Sequence, residues 1–217
     1  KVPYVFVQDA DYGADVANGW LAMMNSNHVK SLYDQFSYNH ADFGAVVDKA
    51  MVAQMDYAFL AGVVGDMGPI VGTLRAKGYT GPIGASQGFF DPGSFSLGPA
   101  GDGMMVSTSM PFLPLAPSTF TWRNEFQTHF GGIDAFAAFA YAAVQIIIAA
   151  VNRTNAAGRG ATATAIAQGI PIDTMTGQYS FTGATGDALL PELYYYTLKN
   201  GAFTYLKQAR PSTFMAK

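Results

Sequence analysis

Residues Asp56–Phe90 read DYAFLAGVVGDMGPIVGTLRAKGYTGPIGASQGFF, and this stretch decides the fold. Asp56–Ala61 is a short apolar run, too short for a helix, and reads as a buried strand. Asp66 is a candidate N-cap for a following helix, with Pro69 in its first turn, where a missing N–H costs nothing. Met67, Ile70, Val71 and Leu74 recur at helical spacing, and Arg75 and Lys77 fall in the last turn. Gly78 supplies a left-handed C′ residue. Gly81–Ala85 returns as a second strand, completing a βαβ unit whose right-handed crossover makes the strands parallel. Gly62–Gly65 and Ser86–Phe90 then share one sheet edge, the edge at which open α/β sheets bind ligands.

Working outward, Val2–Val7 is a continuous apolar run and reads as a buried parallel strand. Asp11 can cap a helix over Gly13–Asn25, Val29–Phe36 reads as a strand, and Asp42–Gln54 as a second amphipathic helix. The first 88 residues therefore alternate β-α-β-α-β-α-β, the pattern of an open, mostly parallel sheet with flanking helices. Asp91–Gly103 reads as a loop with a short helical turn, and Met104–Thr108 as a strand. Met110–Pro117 holds three prolines and is the best candidate for a crossing between lobes. Helices follow at Thr121–Phe130, Asp134–Arg153 and Ala161–Gly169, the second apolar almost all round and so expected to be packed on most sides. Gln178–Phe181, Leu193–Leu198 and Ala202–Leu206 read as strands, with Asn200-Gly201 as a two-residue hairpin turn.

Composition narrows the function. The 217 residues are 50% hydrophobic and only 12% charged, which excludes a disordered chain. A net charge of −3 without any Lys/Arg cluster gives no basis for nucleic-acid binding. The absence of cysteine removes disulfides, thiolate metal sites and thiol nucleophiles together. The chain opens KVPYVFV, a strand pattern rather than a basic region followed by an apolar core. Ala135–Val151 is the longest uncharged apolar run and falls short of a bilayer span of roughly 20 residues, so it reads as a buried helix.

Three motifs invite chemistry. Gly84-Ala85-Ser86-Gln87-Gly88 spells GxSxG, with Asp102 or Asp134 and His129 following, but Phe89-Phe90-Asp91-Pro92-Gly93 is a poor start for the helix a nucleophile elbow needs. Gly62–Gly68 lacks both GxGxxG and the GK[ST] ending of phosphate loops. His28, His40 and His129 have no metal-ligand spacing, and Asp9, Asp11 and Asp15 lack the pattern of a calcium loop. No cofactor, metal or catalytic residue is expected.

VFVQDADYGADVANGW (5–20), HADFGAVVDKA (40–50), the central stretch, FAYAAVQIIIAAVNR (139–153), and GQYSFTGATGD (177–187) with LYYYTLKNGAF (193–203) together resemble the branched-chain amino-acid-binding type of periplasmic solute receptor. The resemblance implies a type I periplasmic-binding fold of two lobes with the first lobe incomplete, its N-terminal segment missing from this chain. On that pattern 1–108 is the second lobe, 109–176 the remainder of the first, and 177–217 C-terminal strands returning to the second. It further implies an extracytoplasmic receptor, in the periplasm, that captures a small-molecule ligand between two lobes and hands it to the membrane permease of an ABC transporter. A sensory or regulatory domain of the same fold is the alternative, and a serine hydrolase using Ser86 the third.

The resemblance marks ligand-contacting positions. Tyr12 and Gly13 match the family's Tyr-Gly at a helix start, where a ring stands beside backbone N–H donors. Val63 falls where amino-acid-binding members carry a second aromatic, and Ser86 or Gln87 where they carry a glutamate for the ligand's ammonium. Without that counter-charge, a small acid lacking an ammonium suits Tyr12, Val63, Gln87 and Phe89 better.

Overall fold

The computed structural model describes residues 2–37, 43–111, 119–131, 133, 135–155, 158–189 and 192–209. The chain divides into two compact units, one of 1–108 with 195–207, the other of 109–194 with 208–217.

The first unit is built on a seven-stranded sheet. In chain order its elements are β1 (Pro3–Gln8), α1 (Asp11–Ser26), β2 (Leu32–Phe36), α2 (Gly44–Val52), β3 (Tyr57–Ala61), α3 (Val64–Ala76), β4 (Ile83–Ala85) and β5 (Met105–Thr108). β8 (Leu193–Lys199) and β9 (Ala202–Ala209) complete it, in the order β2-β1-β3-β4-β5-β8-β9. β1 pairs in parallel with β2 (Tyr4 opposite Leu32) and with β3 (Tyr4 opposite Ala58), β3 with β4 and β4 with β5. The expected parallel βαβ unit is therefore present.

Alternation along β1 sends side chains to two cores. Tyr4 and Phe6 join Leu60, Met67, Ile70 and Leu74 on the face that α2 and α3 cover. Val5 and Val7 join Ala17, Phe59 and Ala61 on the other face, under α1. There Trp20 stacks on Phe59 at 4.2 Å and on Tyr57 at 5.6 Å between ring centroids, an arrangement worth about 0.5–1.5 kcal/mol per pair beyond area burial. Burial on both faces is why these strands are apolar runs without alternation.

Helix ends correct two readings. α3 begins at Val64 after an extended Val63, and Asp66 lies inside its first turn instead of capping it. Pro69 is consequently the sixth helical residue, because the tight turn at Gly62 starts the helix earlier than the polar residue does. Likewise Asp11 is the first residue of α1, and Ala10 stands at the N-cap without a side-chain bond. The C-terminus of α3 follows expectation: Gly78 has φ +85°, Tyr79 N–H donates to Leu74 O at 2.9 Å and Gly78 N–H to Arg75 O at 3.0 Å, a Schellman motif. Asn200 (φ +51°) and Gly201 (φ +69°) form the turn from β8 to β9, both left-handed as a type I′ turn requires. Between β4 and β5 the chain runs as 3₁₀ turns, Gln87–Phe89 and Pro92–Gly101, the second kinked at Gly98.

The second unit holds α4 (Phe120–Phe130), α5 (Ala135–Thr154), α6 (Arg159–Ala167) and the antiparallel pair β6 (Ile172–Thr174) and β7 (Gly177–Tyr179). β7 pairs with β6 here, so the chain returns to the seven-stranded sheet near Leu193 and not at Gly177. α5 is not packed on most sides. Ala138, Ala142, Ile146 and Ala150 form one buried stripe, while Phe136, Tyr141, Val144, Ile147 and Ile148 are exposed. By length and composition alone, Phe136–Thr154 is also long and apolar enough to cross a membrane, ending three residues past the run Ala135–Val151 read from sequence. Most of the proline-rich crossing at 110–117 lies outside the described residues.

Burial pushes the Tyr57 hydroxyl up to about 12, with Tyr195 and Tyr79 adding to the effect, and burial raises Tyr4 and Tyr196 as well. A folded-state value above the unfolded one means stability is present in full below pH 10 and is lost as pH rises from about 10 towards 12. Urea melts at pH 9 and pH 11 should show this fall, and Tyr57→Phe should make it shallower.

Candidate functional site

The order of the sheet sets where a ligand can sit. From β1 the chain moves to β2 on one side, and β3 lies on the other, so the connections diverge between β1 and β3. Such a switch point opens a crevice outside the carboxyl ends of the two strands. Gln8 ends β1, Tyr12 lies in the first turn of α1, Gly62–Val63 leave β3, and Ser86–Gly88 leave the neighbouring β4.

Glycines let the helices start this close to the sheet. Gly13 is buried, and a Cβ there would press into the carbonyl oxygens of Gln8 and Ala61. A Cβ on Gly62 would meet Met67 Sδ and the Gln8 side chain, and one on Gly88 would meet Gly62 O and Val63 Cα. The two helix starts are alike in a second way. The N-cap residues Ala10 and Val63 are both extended and supply no side-chain cap to helices of 16 and 13 residues. First-turn N–H groups and the positive ends of two helix dipoles thus lie at one sheet edge, an arrangement that favours anions.

Around these donors the side chains divide into two groups. Tyr12 is 40% exposed, and its hydroxyl accepts the Gly88 N–H at 3.0 Å, linking the start of α1 to the loop after β4. Val63 is 36% exposed and Gln87 half-buried. These residues, with Gly13 beneath Tyr12, line the edge. Ser86 and Phe89 turn inward. Ser86 is buried; its Oγ donates to Gly62 O at 3.0 Å and accepts Gly62 N–H at 3.3 Å, tying β3 to β4. Phe89 is fully buried in the core that holds Met67 and Ile70, so its ring supports the edge from below.

The GxSxG pattern does not form a nucleophile elbow. Ser86 has relaxed extended backbone (φ −74°, ψ 175°) and is followed by three residues of 3₁₀ turn, not a helix. Its hydroxyl is committed to the backbone of Gly62. The glycines at 62–68 serve the strand-to-helix turn.

No sequence motif marks Gln8. Only 5% exposed, it accepts the Val63 N–H at 3.0 Å through Oε1 and donates through Nε2 to the Asp66 carboxylate. The available signal was a polar residue closing an otherwise apolar strand. The carboxylates nearby are spoken for in part: Asp9 accepts from Gln35 Nε2 at 2.7 Å, while Asp11 and Asp66 sit in first helical turns, where negative charge is favoured. In the second unit, a cavity of about 370 Å³ lies among α5 residues Phe139, Ala142 and Ile146 and the rings of Tyr179, Phe181 and Tyr194. It contains none of the residues marked by sequence.

A family model described as periplasmic binding protein matches residues 1–202. No curated protein sequence matches the chain. Among solved structures, a leucine-binding protein from Thermotoga maritima superposes with a TM-score of 0.89 at 22% identity, over 98% of this chain and 61% of that one. An ABC transporter substrate-binding protein from Desulfitobacterium hafniense in complex with Leu gives 0.74 at 20%, over 95% and 60%. A solute-binding protein from R. palustris in complex with benzoate gives 0.81 at 16%, over 97% and 59%. The chain thus spans about 60% of the length of these structures. At such identities the likeness establishes the fold, the type I periplasmic-binding fold expected from the sequence.

Two substitutions in α1 separate close approach from helix propensity. Gly13→Ala should destabilise the protein by about 3 kcal/mol, because a backbone carbonyl must move. Gly19→Ala, where a Cβ meets nothing within 4 Å, should stabilise it by roughly 0.5–1 kcal/mol. Denaturant melts of the two variants check both signs.

Proposed function

Because the chain belongs to the periplasmic binding protein family, we propose that it is an extracytoplasmic solute receptor serving uptake through an ABC transporter, with the β1–β3 switch-point edge as one wall of its ligand site. The ligand is a small organic carboxylate, a hydrophobic amino acid or a related aliphatic or aromatic acid. Its partner is a membrane permease, and capture and release need no cofactor because no bond is made or broken.

The observation that carries this reading is the pairing of two helix N-termini without side-chain caps with an apolar wall of Val63 and the Tyr12 ring. Backbone N–H groups hold a carboxylate, while ring and methyl groups exclude water around the ligand's tail. Fold neighbours in complex with Leu and with benzoate support an acid of either kind as a candidate. By the family resemblance, neutral Gln87 falls where amino-acid-binding members carry a glutamate for the ammonium, so the edge favours the acid without the amine. Ser86 and Phe89 contribute by holding the edge rather than by touching ligand.

Isothermal titration of the chain with L-leucine, 4-methylpentanoate and benzoate tests this. At least one should bind with a dissociation constant below about 1 mM, the two simple acids about tenfold more tightly than leucine, and Tyr12→Ala should weaken binding about tenfold. Failure of all three probes to bind would overturn the assignment.

A further inference from the structure

From the end of β1, Gln8 reaches the start of α1, the end of β3 and the start of α3. Its backbone carbonyl accepts the Ala10 N–H at 2.9 Å and lies against Gly13 at the start of α1. Its side chain passes under Gly62 at the end of β3 and reaches Val63 and Asp66 at the start of α3. Both ends of the amide are used, and their polarity is unambiguous: an N–H needs the oxygen and a carboxylate needs the nitrogen. Glutamate in its place could accept from Val63 but not donate to Asp66, and methionine could do neither.

Among the described residues Asp66 has Gln8 as its side-chain partner and forms no ion pair. A neutral amide therefore orients this half-buried carboxylate without pairing its charge with a cation. The same amide captures the Val63 N–H, at the residue whose extended backbone and partly exposed side chain begin α3. With Val63 N–H engaged below, its side chain is held outward at the edge.

We propose that Gln8 is a positioning residue of the ligand site: through one buried amide it sets the backbone of Val63 and the carboxylate of Asp66, and so fixes the apolar wall and the start of α3. The proposal rests on reading this edge as the ligand wall, and its test separates the two claims.

Amide hydrogen exchange at Val63 is measured without ligand in the wild-type chain, Gln8→Met, Gln8→Glu and the double variant Gln8→Glu/Asp66→Asn, with thermal melts confirming folding. Protection of Val63 should fall about tenfold in Gln8→Met, the loss of one buried hydrogen bond, and should fall in Gln8→Glu as well, because repulsion from the Asp66 carboxylate drives the introduced carboxylate off the Val63 N–H. The double variant should recover it, since the amide introduced at position 66 would donate to the carboxylate introduced at position 8, which in turn accepts the Val63 N–H. A residue that merely fills space gives no such recovery. Affinity for 4-methylpentanoate, titrated in parallel, should fall and recover in the same order. Unchanged protection in Gln8→Met, or no recovery in the double variant, overturns the hydrogen-bonded clamp. Protection that moves while affinity does not overturns the positioning role. A wild-type chain that binds no 4-methylpentanoate while its Val63 protection responds as expected overturns the site reading, and the positioning role with it, but leaves the clamp standing.

Discussion

Parallel pairing of β1 with β3 is the constraint on which the rest depends. Register places Val7 opposite Ala61, so the two strands end together and their following helices begin side by side. Nothing with a Cβ fits at Gly13, where α1 presses on the carbonyls of both strands. The same pairing stacks Phe59 under Trp20 on one face and sets Leu60 and Phe6 in the core on the other. A shift of one residue would exchange those faces and separate Gln8 from Val63.

The edge that results is assembled mainly from backbone. Tyr12, Ser86 and Gln8 each spend a side chain on fixing a neighbouring main-chain group: Gly88 N–H, Gly62 and Val63 N–H respectively. Helix starts are thereby held at the sheet edge, with Val63 and the Tyr12 ring partly exposed beside them. This use of side chains also explains why the GxSxG pattern carries no nucleophile here, since Ser86 is a strut between β3 and β4.

The second unit follows different rules. Among the described residues its sheet is a single antiparallel pair, and its longest helix buries only a stripe of small residues and Ile146. Alanines at 138, 142 and 150 allow α5 to pack on neighbouring elements, with Gln145 reaching across to accept Met175 N–H at 2.9 Å. Hydrophobic content around the whole helix says that many neighbours would be tolerated. It does not say which side has one, and the exposed Phe136, Ile147 and Ile148 show the difference.

Much of the first unit was legible because its signals are local. Continuous apolar runs mark strands covered on both faces, helical spacing from Met67 to Leu74 marks α3, and Gly78 and Asn200-Gly201 mark ends that need left-handed backbone. Order and approximate bounds of nearly every element follow from these patterns, and the family follows from their succession. Asp11 and Asp66 lie in first turns and not at caps because acidic residues favour both places, and the choice between them depends on how closely the strand end approaches. Sequence by itself thus determined the elements, their parallel arrangement and the edge on which Tyr12, Val63 and Gln87 stand. Tertiary structure decided that Phe89 is core, that Ser86 is a strut and that Gln8 joins the end of β1 to Val63 and Asp66. The physical reason is distance along the chain. Gln8 meets Val63 and Asp66 only after β1 and β3 have paired, and no local pattern records a hydrogen bond between residues 55 positions apart.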